Sequence, residues 1–350
     1  MNRRPIESDR LRRLAILLPN WLGDAVMSEP AISGLHQALP ELELIGFGRP
    51  AAVETLRGQC GLAAVHPLED RGPLGPWRAA RTIRSAAPDA ILLLRGSFRS
   101  GLVARLSGCS IRIGTPGDGR RALITHPVPA PSGRHPRPTT DLYADLVDAL
   151  GVKAPTRPPV IRIGESEQAA ASDLLKGLPR PILGVVAGGS KIPKRWPAER
   201  FAELIRRLQD RVGSAVLLGG PDELDLLNDL DARCRTTGHP PVRNLAANGL
   251  SLETLRGVVD ACDLLVGNDT GPRHLAIATG TPAVTLFGPT DHRWTLIPGA
   301  NERIVLAEPF IDDTHVADRH PAMCRIDRIP VGDVVHATAA ALQSPVSSDP

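Results

Sequence analysis

The chain has 350 residues, with 41 basic and 38 acidic side chains and a net charge of +3. That length gives room for two domains of ordinary size, each able to bury its own core. The near balance of charge, with aromatics at 3%, argues against a nucleic-acid-binding protein, which needs a basic face or stacking platforms. Five scattered cysteines form no CxxC pair, so reduced thiols are expected and neither disulfides nor zinc are indicated. No apolar run approaches the ~18 residues of a membrane span. The amino end, MNRRPIESDRLRR, lacks the apolar core of a signal peptide, so a cytoplasmic protein is expected. Its first dozen residues read as a frayed basic arm.

In chain order, residues 14–18 (LAILL) read as a buried parallel strand, followed by PNWLGD and an amphipathic helix over residues 25–39. Short apolar runs at 42–47, 63–66, 90–94 and 111–113 alternate with helical segments at 53–57, 77–85 and 101–106. Strands alternating with helices predict an α/β fold with a doubly wound, mostly parallel sheet. Two proline-rich pieces, PVPAPSGRHPRP (127–138) and KAPTRPP (153–159), flank a helix at 141–150 and mark the domain boundary. The alternation then resumes: helices at 165–176, 198–211, 222–235 and 252–261, with strands at 182–186 and 215–218. A strand, turn, helix and strand unit spans 263–289 (DLLVGNDTGPRHLAIATGTPAVTLFGP), and a helix at 331–342 precedes a polar tail, SPVSSDP, expected to be disordered.

The candidate chemistry sits where strands end. Gly23 and Asp24 follow the first strand, and Asp24 fits either a helix N-cap or a general base. The stretch VVAGGSKIPKRWP runs a buried strand into Gly188, Gly189 and Ser190 and then Lys191 and Lys194, two of only four lysines in the chain. Glycines, ammonium groups and a helix amino end make a phosphate cradle, although the GxxxxGK[ST] pattern is absent. Glu223, after the glycines of LLGGPDE, reads equally as a ribose contact or as a first-turn acid that suits the helix dipole. Asp269, Thr270, Gly271 and His274 cluster at the start of a helix whose Pro272 fits its first turn; the free amides there suit an anion. RGSFRSGLVARLSG (95–108), with Arg112, Arg120 and Arg121 beyond, reads as solvated arginines or as a basic wall for an anionic acceptor. No nucleophile triad and no metal-ligand cluster stands out.

PNWLGDAVMSEPAISGL, LLRGSFRSGLVARLSG, GGSKIPKRWPAERFAELIRRL and NDTGPRHLAIATGTPAVTLFGPT together resemble the ADP-heptose:lipopolysaccharide heptosyltransferases of glycosyltransferase family 9, and within them the heptosyltransferase II type. The resemblance implies a GT-B fold: two Rossmann-like domains facing across a cleft. It implies an N-terminal acceptor-binding domain (1–158), a C-terminal nucleotide-sugar domain (159–330), and a final segment (331–350) whose helix returns to the N-terminal domain before the disordered tail. By the same resemblance Asp24 is the catalytic aspartate, and Lys194 binds the donor's diphosphate and is counted with it as catalytic. Gly189, Ser190, Glu223, Asp269, Thr270, Gly271 and His274 contact the donor, with Gly189 standing where some members have a second hydroxyl. Arg95, Ser97, Arg99 and Arg120 are the expected acceptor contacts.

The expected function is inverting, metal-independent transfer of heptose from ADP-heptose to a sugar hydroxyl of the lipopolysaccharide inner core. No cofactor is implied, because the ADP-sugar is a substrate, and no metal. The expected partners are the nucleotide sugar and a lipid-linked anionic glycan, with peripheral contact at the cytoplasmic face of the inner membrane and no nucleic acid. Two other functions compete: a family 9 transferase with another nucleotide sugar or acceptor, and a nucleotide-sugar-binding protein without catalysis.

Overall fold

The structure, a computed structural model, describes residues 6–129, 136–235, 240–312 and 314–343. The 344–350 tail, the first five residues and half of the first proline-rich piece, 130–135, lie outside the described residues. The chain divides into two units, with the main boundary between Ile161 and Arg162.

The first unit runs β1 (Arg13–Leu17), α1 (Leu22–Met27), α2 (Glu29–Ala38), β2 (Glu43–Gly48), α3 (Pro50–Leu56), β3 (Ala64–Pro67), α4 (Gly75–Ser85), β4 (Ala90–Leu93), α5 (Phe98–Ser107), β5 (Ile111–Gly114), β6 (His126–Pro127) and α6 (Thr139–Asp148). Its sheet has the order β3-β2-β1-β4-β5-β6, parallel throughout. The central strands β1 and β4 are short apolar runs covered on both faces, as a parallel sheet with helices on each side requires.

The helix expected over 25–39 is two helices. Pro30 has no amide proton to continue the ladder, and the Ser28 hydroxyl donates back to the Ala25 carbonyl at 2.7 Å. α2 in turn ties down the second proline-rich piece. Its buried Glu29 accepts two bonds from Arg157, at 2.8 and 2.9 Å, and one from the Val160 amide.

The second unit runs α7 (Glu165–Leu175), β7 (Ile182–Val186), α8 (Ala198–Arg207), β8 (Ser214–Leu217), α9 (Leu224–Arg235), β9 (Val242–Asn244), α10 (Leu252–Ala261), β10 (Leu264–Asn268), α11 (Gly271–Thr279), β11 (Ala283–Phe287), β12 (Glu302–Leu306) and α12 (Val331–Gln343). Its parallel sheet, β12-β11-β10-β7-β8-β9, repeats the plan of the first. Both orders are that of a Rossmann fold, 3-2-1-4-5-6.

α12 differs from the expectation of a return to the N-terminal domain. Its contacts are with α8, β10, β11 and β12, and Val334 and Ala341 belong to the core of the second unit. The Trp196 indole donates to the Ile329 carbonyl just before the helix, at 3.1 Å, which holds that approach on its own sheet. Among the described residues no helix is long and apolar enough to cross a membrane.

Candidate active site

In open parallel sheets, ligands bind beyond the carboxyl ends of the strands where the strand order reverses. In the first unit that point lies between β1 and β4, and in the second between β7 and β10. Most of the candidate residues follow these four strands; Arg120 follows β5 and Glu223 follows β8.

In the first unit, β1 ends in PNW and α1 opens at Leu22, which places Asp24 in the first turn of a helix where a carboxylate is favoured. Trp21, and not Asp24, occupies the N-cap position, so the capping alternative does not describe this residue. Tyr143, the chain's one tyrosine, comes from buried α6. Burial pushes its phenol well above the ordinary value, and the Asp24 carboxylate pushes it further. Sequence reasoning passed over Tyr143; its being the single tyrosine was the available signal.

Past β4, Arg95 is buried. It donates to the Leu18 carbonyl at 2.5 Å and to Asp70 Oδ2 at 2.7 Å, while its Nη2 has no hydrogen-bond partner. Burial pulls its guanidinium below the usual value, and Asp70 works against that pull. Arg49 lies at 3.9 Å from the other Asp70 oxygen, and its buried Nε is also without a hydrogen bond. Arg120 is buried too: it bonds the carbonyl and hydroxyl of Thr115 and leaves Nη1 without one.

Of the arginines read as either solvated or a basic wall, Arg95 and Arg120 are buried, Arg112 is half-buried, and Arg99, Arg105 and Arg121 are exposed. Ser97 caps α5 by accepting from the Ser100 amide at 3.2 Å, and Arg99 donates to the carbonyls of Asp70 and Gly72. Arg112 donates to the carbonyls of Leu123 and Cys109.

In the second unit β7 runs into Ala187, Gly188 and Gly189, and a short 3-10 turn at Ile192–Lys194 carries the lysine. Lys194 Nζ stands 4.0 Å from Asp269 Oδ2, so the lysine turn and the amino end of α11 meet. Thr270 occupies the N-cap of α11, yet its side chain makes no capping bond.

Asn268, which sequence reasoning missed, fastens the two pieces. Buried at the end of β10, it donates to the carbonyls of Ala187 and Gly188 at 2.8 and 2.9 Å and accepts from the Trp196 amide at 3.1 Å. An Asn closing an apolar strand just before Asp-Thr-Gly was the available sign.

Glu223 takes the second of its two sequence readings in part. Its carboxylate accepts from the Gly189 amide at 2.7 Å and the Gly220 amide at 3.0 Å, tying the turn after β7 to the turn after β8. A Cβ at Gly188 would fall 2.0 Å from Glu223 Oε1, so a side chain there displaces that carboxylate; at Gly189 the nearest atom would be 3.5 Å away. Ser190 is exposed beside the turn.

Asp269 Oδ1 accepts from Arg273 at 3.0 Å, and Arg273 forks onto Glu302 at 2.5 and 2.8 Å. Burial works against the Arg273 charge, but bonding to Glu302 and Asp269 outweighs it and holds the guanidinium above its usual value. His274 is buried with its Nε2 3.9 Å from Asp269 Oδ1, and its Nδ1 has no hydrogen-bond partner. Burial and the neighbouring Arg273 lower its pKa to about 3, against a smaller opposing effect of Glu302, so the imidazole is neutral at physiological pH. Among the described residues no group of three or more His, Cys, Asp or Glu side chains is placed to hold a metal ion.

Lys194, Asp269, Thr270, Gly271 and His274 thus come together with Gly189 and Glu223 in the second unit. Asp24 lies in the first unit, as do Arg95, Ser97, Arg99 and Arg120. Two Rossmann-type sheets in one chain, the second followed by a glycine and lysine turn beside a helix amino end, give the chain a GT-B fold.

The chain belongs to glycosyltransferase family 9 (heptosyltransferase), which residues 76–316 match. Lipopolysaccharide heptosyltransferase 2 of Escherichia coli K12 is 27% identical over 296 residues, 81% of this chain and 84% of that one. Among solved structures, E. coli ADP-heptose lps heptosyltransferase II superposes with a TM-score of 0.79 at 22% identity, covering 94% of this chain and 98% of that one. E. coli heptosyltransferase WaaC with ADP-2-deoxy-2-fluoro heptose gives a TM-score of 0.68 at 20% identity, covering 93% and 98%.

Proposed function

We propose that this glycosyltransferase moves a heptose from ADP-heptose to a sugar hydroxyl of a lipopolysaccharide inner core, with inversion and without a metal ion. The observation that carries the reading is the meeting of Lys194 with Asp269 at the amino end of α11, beyond the switch point of the second sheet. There an ammonium and the positive end of a helix dipole favour a diphosphate. The heptosyltransferase names of the relatives, and a relative's structure with an ADP-heptose analogue, support the donor.

In the reaction the acceptor hydroxyl oxygen attacks the anomeric carbon while the bond from that carbon to the diphosphate oxygen breaks. The hydroxyl proton passes to the Asp24 carboxylate, and ADP leaves with the electron pair. Lys194, the Ser190 hydroxyl and the α11 amides offset the charge that builds on the departing diphosphate, the task a divalent cation performs in other transferases. Neutral His274, with a ring nitrogen free of protein partners, suits a hydrogen bond to the sugar or diphosphate better than a charge contact.

Support for an anionic acceptor comes from Arg49, Arg95 and Arg120, each with a buried N–H lacking a protein acceptor. Such donors are costly to leave unmade and are matched by carboxylate or phosphate oxygens. The acceptor is proposed to be lipid-linked and met at the cytoplasmic face of the inner membrane. A panel of nucleotide sugars, assayed for nucleotide release and product mass with core-glycan acceptors, tests the reading. Turnover with ADP-heptose above all others is expected; preference for another nucleotide sugar, or ADP binding with no turnover, would overturn it.

A further inference from the structure

The arginines of this chain are unevenly spread. Residues 71–129 hold ten arginines and only two acids, Asp89 and Asp118, while the whole chain has a net charge of +3; the remainder is therefore net acidic. Asp89 is spent on the backbone amides of Arg12 and Arg13. Five of the ten, Arg78, Arg81, Arg84, Arg99 and Arg105, stand exposed on α4 and α5 of the first unit, and neither helix contains an acid.

α4 buries Ala79, Ala80 and Ile83 and turns the other way with Trp77, Arg78 and Arg81. It is joined to α5 through Arg84, whose Nε donates to the Ser107 carbonyl at 3.1 Å. Around the amino ends of these two helices, three large apolar side chains stand in solvent: Leu74 at 68%, Trp77 at 55% and Phe98 at 51% exposure. Those ends lie at the carboxyl side of the parallel strands, the side on which Asp24 begins α1. The Arg81 guanidinium lies 5.9 Å over the Trp77 ring, so the apolar and cationic groups are one surface.

An exposed apolar cluster of this kind marks an interaction surface, and its uniform positive charge selects an anionic partner. Apolar side chains with a tryptophan, set among arginines with no acid between them, match an anionic bilayer surface: rings at the headgroup level, guanidiniums on lipid phosphates. We infer that the α4 and α5 face of the first unit, centred on Leu74, Trp77, Arg78 and Arg81, docks the protein on an anionic lipid surface. This extends the proposed function, because a lipid-linked acceptor is reached at a bilayer; the assay of it uses no sugar and stands or falls separately.

The test is co-sedimentation of the full chain with vesicles of phosphatidylcholine alone or of phosphatidylcholine and phosphatidylglycerol in equal parts, with tryptophan emission read on the same samples. Binding and a blue shift are expected only with phosphatidylglycerol present, weakening as salt is raised. The charge-reversed pair Arg78→Glu with Arg81→Glu, and the pair Leu74→Ser with Trp77→Ser, should each lower vesicle binding by about tenfold or more. Both should keep the wild-type melting temperature and transfer to a soluble core-glycan fragment. Met323→Ser, an exposed apolar change in the second unit, should bind as wild type. Equal binding to both vesicles, or unchanged binding by either pair, would overturn the inference. So would a dimer that Leu74→Ser with Trp77→Ser dissociates while no vesicle binding is seen.

Discussion

Burial makes His274 neutral, and that has a consequence for pH. Its pKa is about 3 in the folded chain against 6.5 for the free side chain, so below about pH 6.5 the unfolded chain takes up a proton that the folded one refuses. The stability gained by keeping the ring neutral is complete above that pH and is lost progressively as pH falls toward 3. His274 should show no imidazole titration by NMR between about pH 5 and 8. A His274→Gln variant should lose stability less steeply than wild type on acidification; a His274 titration near 6.5 would show that the ring is not held this way. At Lys194 the expected loss is in affinity: Lys194→Ala should weaken ADP binding about 10- to 100-fold, the worth of one or two charge-assisted contacts. Unchanged calorimetric affinity would remove Lys194 from the diphosphate site. Residue types at strand ends singled out Asp24, Lys194 and Asp269 as candidates. They did not announce Asn268 or Tyr143, whose importance depends on which loop folds back over them.

The turn after β7 and the amino end of α11 behave as one device. Asn268 binds the turn from below and Glu223 binds it from the side, each through backbone groups. Gly188→Ala should therefore force the Glu223 carboxylate out of place, lowering both stability and ADP affinity, whereas Gly189→Ser should be accepted. Equal tolerance at the two positions, measured by thermal melting with and without ADP, would contradict this geometry. Asn268→Ala leaves a buried Trp196 amide and two carbonyls without partners and should cost about 1–3 kcal/mol. Buried strands and their order of appearance were legible at this scale, since apolar runs bounded by glycine and proline admit few other readings. The edge strands β6, β9 and β12 were not: the first two are two and three residues long, and β12 opens on Glu302 and Arg303 with only three apolar residues after them. The break at Ser28 was passed over because the apolar period runs on through it.

Two sheets of one plan let one chain carry two kinds of site. The first unit holds a carboxylate at a helix start and buried arginine donors; the second holds a cationic turn beside a helix amino end. The division into two α/β units and its place near residue 160 were readable from the proline-rich stretches. The seat of α12 was not, because an apolar helix face does not say which sheet it will cover. The central claim is that proton removal belongs to Asp24 in the first unit and diphosphate binding to Lys194 in the second. The most direct measurement pairs ADP calorimetry with single-turnover transfer from ADP-heptose to a core-glycan acceptor, in wild type and Asp24→Ala. The account predicts wild-type ADP affinity and transfer slowed by about 10²- to 10⁴-fold. Transfer at the wild-type rate, or loss of ADP binding in that variant, would contradict it.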